Sequence, residues 1–89
     1  MSYEETMQHA IDLYNARGAQ YGAVSEGIGR AAALASLVLN REVSARDVAM
    51  ILHCVKLSRI AEDPRHIDSY VDGINYLAFG LELTAQTPA

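Results

Sequence analysis

The sequence predicts an all-α protein of four helices in an up-down-up-down bundle, and three observations indicate this fold class. Apolar residues recur at helical spacing in four separate segments of the 89-residue chain. No segment alternates apolar and polar residues as a half-buried strand does. The connections between the segments are short, which favours antiparallel neighbours. We therefore expect one helical domain over residues 1–89, with a frayed tail over residues 84–89.

The first predicted helix begins at Ser2, because Glu5 follows three residues later as in a capping box. Its apolar stripe consists of Met7, Ala10, Ile11 and Tyr14. Gly18 is predicted to end this helix and to open a turn that closes at Gly22. The second helix is predicted to start after Ser25 as its N-cap and to run to the polar break at residues 40–42.

The third helix is predicted to open at Ser44, with Asp47 three residues on as a second capping box. Pro64 stops it, because proline disfavours helical conformation in the residue before it. The fourth helix begins between Pro64 and Asp68 and carries a stripe of Ile67, Val71, Ile74, Leu77 and Leu81.

Composition excludes several classes of function. A hydrophobic fraction of 51% against 20% charged residues is apolar for a small domain, so we expect a homo-oligomer that buries the excess. The net charge of −4 and the lack of a basic patch argue against nucleic-acid binding. The single cysteine, Cys54, is expected to be a buried, inert thiol in a reducing, cytoplasmic compartment. No apolar run is long enough to span a bilayer, and the N-terminus lacks a signal-peptide core.

The segment from Lys56 to Asp72 predicts a polar seam between the third and fourth helices. If the chain folds back at residue 63 or 64, Arg59 comes level with Asp68 and Lys56 with Asp72. Two cations then face two carboxylates. Such a ladder is either structural alone or the wall of a polar site.

The bundle topology predicts which other residues share that end of the molecule. The first and third connections would lie together, so Arg17, Tyr21 and Glu26 would approach His66 and Asp68. Cations and helix N-termini at one rim suit a phosphate-bearing ligand, on which Tyr21 could stack. His66 is interpreted as a cap or surface residue, with general base as the alternative.

Several separated elements carry a resemblance to known proteins. These elements are Arg17-x-x-x-Tyr21-Gly22, Glu26, Asp47-Val48-Ala49, Lys56-x-x-Arg59-Ile60 and His66-x-Asp68-Ser69-x-x-Asp72-x-x-x-Tyr76. Over roughly residues 14–82 the chain resembles a small helical family of unknown function that is common in phages and prophages. The resemblance implies a fold and a setting rather than an activity.

The run from Asp68 to Tyr76 also resembles the last helix of the MazG-like all-α NTP pyrophosphatases. Those enzymes hydrolyse nucleoside triphosphates with Mg²⁺ held by an EExxE and an ExxD motif. Asp72 matches the aspartate of ExxD, Ser69 stands at its glutamate position, and no EExxE motif is present in residues 26–42. The resemblance implies Glu26, Asp68 and Asp72 as Mg²⁺ ligands, which is a thin set for two-metal chemistry.

We therefore expect a phage-type protein that binds a nucleotide or nucleotide-derived ligand without efficient hydrolysis, and that sequesters a host defence signal. Its expected ligand contacts are Arg17, Tyr21, Lys56, Arg59, His66, Asp68 and Asp72. Under this hypothesis the protein needs no cofactor, and no catalytic residue is assigned. One alternative is a degenerate, Mg²⁺-dependent MazG-like pyrophosphohydrolase, and another is a structural or adaptor oligomer without a ligand.

Overall fold

Four helices make up the fold, as predicted, and none of the described residues forms a strand. The computed structural model describes residues 1–21 and 23–84, and of Tyr21 it describes the backbone alone. The helices are α1 (Tyr3–Tyr21), α2 (Val24–Leu39), α3 (Ala45–Glu62) and α4 (Ile67–Thr84). The predicted tail beyond Thr84 lies outside the described residues.

Both predicted capping boxes are present. The Glu5 amide donates to Ser2 Oγ at 3.1 Å, and the Asp47 amide donates to Ser44 Oγ at 3.0 Å. The Ser44 amide in turn donates to Asp47 Oδ2 at 3.0 Å. The hydrogen bonds from Ser44 lower the pKa of Asp47, and the hydrogen bonds with Ser2 lower the pKa of Glu5. These local pairs begin α1 and α3 where the sequence predicts.

The predicted connection between α1 and α2 was wrong at both ends. Helix α1 continues through Gly18 to Tyr21, because a helix tolerates one interior glycine at a cost of about 1 kcal/mol. Helix α2 begins at Val24 with Ala23 as its N-cap, and no side chain caps it. Ser25 is therefore a first-turn residue rather than the cap. At its other end α2 stops at Asn40, which adopts the left-handed conformation with φ of 52°.

The centre of the fold is the antiparallel hairpin of α3 and α4, which has the most extensive contact of any helix pair. Two contacts set its register. His53 Nδ1 lies 2.7 Å from the carbonyl oxygen of Gly73, and Met50 lies against Gly80. A Cβ atom at Gly80 would lie 2.9 Å from Met50 Sδ, so glycine lets the thioether lie directly on α4.

The predicted position of the α1–α2 connection was wrong. Ala23, Val24 and Ser25 lie beside Phe79 and Leu83, in the last turns of α4. The predicted bundle would have placed them beside its first turn instead. The axes of α1 and α2 differ by 75°, so the two helices do not form the antiparallel hairpin on which that prediction rested. Glu26 is consequently separated from Asp68 by roughly 20 Å along α4.

The buried core is small. Among the described residues, the buried apolar side chains are Ala10, Ile28, Ala32, Ala49, Val71 and Leu83. Many large apolar side chains are exposed on all four helices, including Leu37 and Leu81, which are each 79% exposed. Cys54 is also exposed, so the expected buried thiol was wrong. Half of the buried apolar residues are alanines, so the lone chain leaves much of its apolar surface uncovered.

No single helix within the described ranges is both long and apolar enough to cross a membrane. Residues Tyr3–Gln20 and Val24–Leu39, as one bent pair, meet that test by length and composition alone.

Candidate functional site

Asp72, near the start of α4, lies between two cations from two other helices. Its Oδ1 accepts a hydrogen bond at 3.0 Å from Nη1 of Arg17 in α1, and its Oδ2 lies 3.0 Å from Nζ of Lys56 in α3. The Asp72 side chain is 8% exposed, Lys56 is 19% exposed and Arg17 is 47% exposed. We call these three side chains the Arg17–Asp72–Lys56 cluster. Two cations around one carboxylate leave the cluster with one net positive charge.

The register of the α3–α4 hairpin brings Lys56 to Asp72, as the spacing predicted. His53, three residues before Lys56, fixes this register through its hydrogen bond to the Gly73 carbonyl oxygen. A carbonyl oxygen only accepts hydrogen bonds, so Nδ1 of His53 carries the proton. This bond joins the two helices one residue from Asp72. His53 is thus a residue that positions Asp72 opposite Lys56.

The second predicted pair, Arg59 with Asp68, is not formed. Neither side chain makes an ion pair within 4 Å to any residue that the structure describes. An α-helix turns about 100° per residue, so Arg59 points about 60° away from Lys56, and Asp68 about 40° away from Asp72. Both side chains are exposed, so both rotations carry the charge away from the α3–α4 seam and into solvent.

His66 directly precedes α4, is exposed and contacts a residue in the first turn of that helix, which agrees with its interpretation as a cap or surface residue. Its Nδ1 lies 2.7 Å from Oγ of the buried Ser69. His66 and Arg59 line a depression of about 190 Å³ together with Glu62 and Asp63. Two carboxylates beside one guanidinium make this depression a poor anion site. Arg59 and His66 line this depression, and the structure shows no ion pair or hydrogen bond from either of them to Asp72.

A cavity of about 330 Å³ adjoins the cluster, and residues of all four helices form its wall. Within the cluster, Arg17 and Asp72 line the cavity, whereas Lys56 contacts Asp72 from α3. Helix α2 contributes two small residues, Gly27 and Ala31, and two branched aliphatic residues to the wall. Small-molecule sites are commonly apolar clefts of about 300–1,000 Å³ with a few polar groups, and this cavity lies at the small end of that range.

Three aromatic rings form the side of the cavity next to α1 and α4. Tyr14 and Phe79 have ring centroids 5.7 Å apart at a tilt of 50°, and Tyr76 meets Phe79 edge-on at 6.2 Å. Asn75 lies among them, and its Nδ2 donates to the carbonyl oxygen of Ala10 at 3.0 Å. This hydrogen bond leaves the amide oxygen of Asn75 as an acceptor beside an aromatic wall.

Sequence reasoning missed this cavity, although one signal for part of it was present. Asp72, Asn75, Tyr76 and Phe79 have the i, i+3, i+4, i+7 spacing of one helix face. That spacing could have joined the charged Asp72 to the aromatic Tyr76 and Phe79 on the same helix face. The contribution of Tyr14 and α2 had no such signal, because it depends on the angles between helices.

Of the remaining predicted site residues, those whose side chains the structure describes do not join the cluster. The side chain of Tyr21, and Gly22, lie outside what the structure describes. Glu26 is exposed in the first turn of α2, and Asp68 is exposed in the first turn of α4. No group of three or more His, Cys, Asp or Glu side chains within residues 1–21 and 23–84 is arranged to hold a metal ion. Glu26, Asp68 and Asp72 are thus not brought together as ligands.

A comparison with protein families matches residues 5–84 to DUF6378, a domain of unknown function. The chain belongs to the DUF6378 family. The match covers all four helices except the first two residues of α1, so the cluster and the cavity both belong to the DUF6378 domain. No curated protein and no solved structure gives a significant match to this DUF6378 chain.

Proposed function

We propose that this DUF6378 protein binds a nucleotide or a nucleotide-derived ligand, with the base in the cavity and a phosphate at the Arg17–Asp72–Lys56 cluster. The observation that carries the proposal is the adjacency of an aromatic-walled cavity and a cluster with a net positive charge. A nucleotide likewise combines an aromatic base, which would fit the cavity, with a phosphate group, which would fit the cluster. An apolar wall with a few convergent polar groups is the usual form of a small-molecule site.

The cluster retains donors for an anion. A guanidinium has five N–H donors and an ammonium has three, whereas Asp72 has two carboxylate oxygens. Arg17 gives one hydrogen bond to Asp72 and is about half exposed, so its other N–H groups face the cavity mouth or solvent. One net positive charge suits one phosphate group, as in a nucleoside monophosphate or each half of a cyclic dinucleotide, better than a triphosphate.

The cavity suits a planar aromatic group. The rings of Tyr14, Tyr76 and Phe79 offer faces and edges for stacking, which contributes about 1–3 kcal/mol per base in proteins that bind single bases. The amide oxygen of Asn75 can accept a hydrogen bond from an exocyclic amino group, which would favour adenine, guanine or cytosine.

The same geometry favours binding without turnover. Both oxygens of Asp72 are engaged by cations, so this carboxylate is occupied rather than poised to hold Mg²⁺. In a phage or prophage setting, a cytoplasmic protein of this kind would sequester a nucleotide signal of host defence. That setting is part of the proposal and rests on the resemblance described above.

The test is a thermal-shift and calorimetric titration of the full chain with nucleoside monophosphates and triphosphates, cyclic dinucleotides, inorganic phosphate and nucleosides, each with and without Mg²⁺, and pyrophosphate release is assayed for the triphosphates. A ligand at about 100 times its Kd adds roughly 2.7 kcal/mol of stability and raises Tm. We expect nucleotides to bind without Mg²⁺ and more tightly than either half alone. If none of the compounds bound or raised Tm, the proposal would be wrong. If the protein released pyrophosphate from a triphosphate in a Mg²⁺-dependent reaction, the pyrophosphohydrolase would replace it.

Two glycines of α2 provide a matched control for the cavity. Apart from the neighbouring backbone of α2 itself, no atom of the described residues lies within 4 Å of a Cβ built at Gly27 or at Gly29, so alanine fits at both positions and favours the helix at both. Gly27 lines the cavity, and a methyl group there would reduce its volume. We expect Gly27→Ala to weaken nucleotide binding at least tenfold, while Gly29→Ala leaves it unchanged. Equal affinity of the two variants would place the ligand elsewhere.

A further inference from the structure

A second, smaller depression continues the cavity toward the C-terminal end of α4. Its volume is about 120 Å³. The four wall residues that it shares with the cavity are Tyr14, Ala23, Val24 and Phe79. The polar side chains that it adds are Ser25 of α2 and Glu82 of α4. We call this part of the site the Glu82 depression.

One face of α4 connects the Glu82 depression to the Arg17–Asp72–Lys56 cluster. Its residues Asp72, Asn75, Tyr76, Phe79 and Glu82 follow one another at intervals of three, one, three and three, which is helical spacing. All five line the cavity or the Glu82 depression. A ligand along this face would therefore meet a net positive charge at one end and a carboxylate at the other.

The carboxylate of Glu82 is accessible to a ligand. Glu82 is exposed, and its side chain forms no ion pair or hydrogen bond with any residue that the structure describes. An ionised carboxylate presents two acceptor oxygens side by side and no donor. It favours a ligand edge with two adjacent N–H donors, and it repels a phosphate.

Guanine is the common nucleobase with such an edge. Its N1–H and one hydrogen of its N2 amino group point in the same direction, so one carboxylate can accept from both. Adenine and cytosine have a ring-nitrogen acceptor beside the amino group, and that acceptor would face a carboxylate oxygen. Uracil and thymine have a single N–H between two carbonyl oxygens.

The other polar groups along the wall also match guanine. The Ser25 hydroxyl, on the α2 side of the Glu82 depression, can donate to the O6 atom beside N1. The second hydrogen of the N2 amino group points toward the ribose, and Asn75 lies on that side of Glu82, with its amide oxygen as acceptor. The rings of Tyr14 and Phe79 line both parts of the site, where they would contact the base.

We propose that the site selects a guanine nucleotide, with the phosphate at the Arg17–Asp72–Lys56 cluster and the base edge at Glu82. This assignment rests on the proposed nucleotide binding and adds the identity of the base. Asp72 and Glu82 are ten residues apart, which is about 15 Å along the helix. A purine nucleoside monophosphate with a hydrogen bond of about 3 Å at each end has a similar length. A pyrimidine nucleotide is one ring shorter and ends before Glu82.

The first test is a calorimetric titration of the full chain with the monophosphates of guanosine, inosine and adenosine. Inosine keeps the N1–H of guanine but lacks the N2 amino group. We expect guanosine monophosphate to bind most tightly and inosine monophosphate about tenfold more weakly, because one hydrogen bond to Glu82 is lost. Adenosine monophosphate should bind more weakly than either, because its N1 acceptor faces the carboxylate.

Glu82→Gln is the second test, with Glu62→Gln as its matched control. Both glutamates are exposed and lie in the last turn of a helix, so each substitution removes one exposed negative charge near a helix C-terminus. A glutamine amide has one acceptor atom, so it cannot accept from both donors of guanine. We expect Glu82→Gln to bind guanosine monophosphate about tenfold more weakly and adenosine monophosphate no more weakly than the wild type. Glu62→Gln should bind both as the wild type does.

The possible failures distinguish this assignment from the proposed function. Equal affinity for the three monophosphates would show that the site does not select guanine. Equal affinity of Glu82→Gln and Glu62→Gln for guanosine monophosphate would show that Glu82 does not contact the base. Either result leaves nucleotide binding in place, whereas a wild type that binds none of the three would contradict the proposed function as well.

Discussion

The α3–α4 hairpin contains two cation–carboxylate pairs of the same chemistry, and only one of them forms. Lys56 and Asp72 lie 3.0 Å apart and are largely buried. Arg59 and Asp68, closer to the turn between the helices, are exposed, and neither has an ion-pair partner among the described residues. We call these the inner pair and the outer pair.

The difference shows that hairpin register alone does not make an ion pair. Both pairs have matching positions along the two helices, but rotation about each helix axis turns the outer pair away from the seam. The inner pair has a third partner as well, because α1 brings Arg17 to the second oxygen of Asp72. Two cations offset the cost of burying the carboxylate of Asp72, whereas an exposed ion pair contributes little to stability.

The largest expected effect is the difference in stability loss between substitutions of the two aspartates, Asp72 and Asp68. Asp72→Asn removes the charge that neutralises Lys56 and Arg17, and leaves the ammonium of Lys56 largely buried without a counter-ion. We expect a loss of about 3 kcal/mol in the free energy of unfolding, measured by urea denaturation. Asp68→Asn is the matched control and should change stability by less than about 0.5 kcal/mol. Similar losses in the two variants would show that the outer pair is formed in solution.

Replacing the cation of the inner pair should also cost more stability than replacing that of the outer pair, but the difference should be smaller than for the aspartates. Lys56→Met keeps most of the apolar stem and leaves Asp72 with one charged partner, Arg17. We expect it to cost about 1.5 kcal/mol by the same measurement, because the largely buried carboxylate of Asp72 loses one of its two charged partners. Arg59→Met should cost less than about 0.5 kcal/mol. A loss for Arg59→Met as large as that for Lys56→Met would contradict the exposed position of Arg59.

Local signals in the sequence predicted much of the fold and the inner pair. The capping boxes at Ser2 and Ser44 depend on residues three positions apart, so the spacing itself carries the information. The Lys56–Asp72 pairing depends on one short turn, across which an error in register stays small. Both features depend on residues that are close in the sequence and not on how α1 and α2 pack in the fold.

The cavity and the position of α2 could not be predicted in the same way. From the sequence, Gly18 could equally end α1 or lie in its interior. The two possibilities place the α1–α2 connection about one helical turn apart. The 75° angle between α1 and α2 then decides which end of α4 the connection meets. Tyr14 and Gly27 line the cavity because of those angles, and no local pattern of residues encodes them.

The smallest expected effect tests how closely the two helices meet at the inner pair. A Cβ atom at Gly73 would lie 3.7 Å from the His53 ring and from Cβ of Lys56, which is ordinary contact distance. Gly73→Ala should therefore stabilise the protein by about 0.5–1 kcal/mol, because alanine loses less backbone entropy in a helix. Tm, measured by circular dichroism, should rise by about 4 °C.

Gly80→Ala is the counterpart, because its Cβ would lie 2.9 Å from Met50 Sδ and the thioether would have to move. We expect its entropic gain to be cancelled, so that Tm stays within about 1 °C of the wild type. If Gly73→Ala lowered Tm instead, the helices would approach more closely at the inner pair than 3.7 Å contacts allow. The His53–Gly73 hydrogen bond, rather than the ion pair beside it, would then be the contact that sets the spacing of the hairpin.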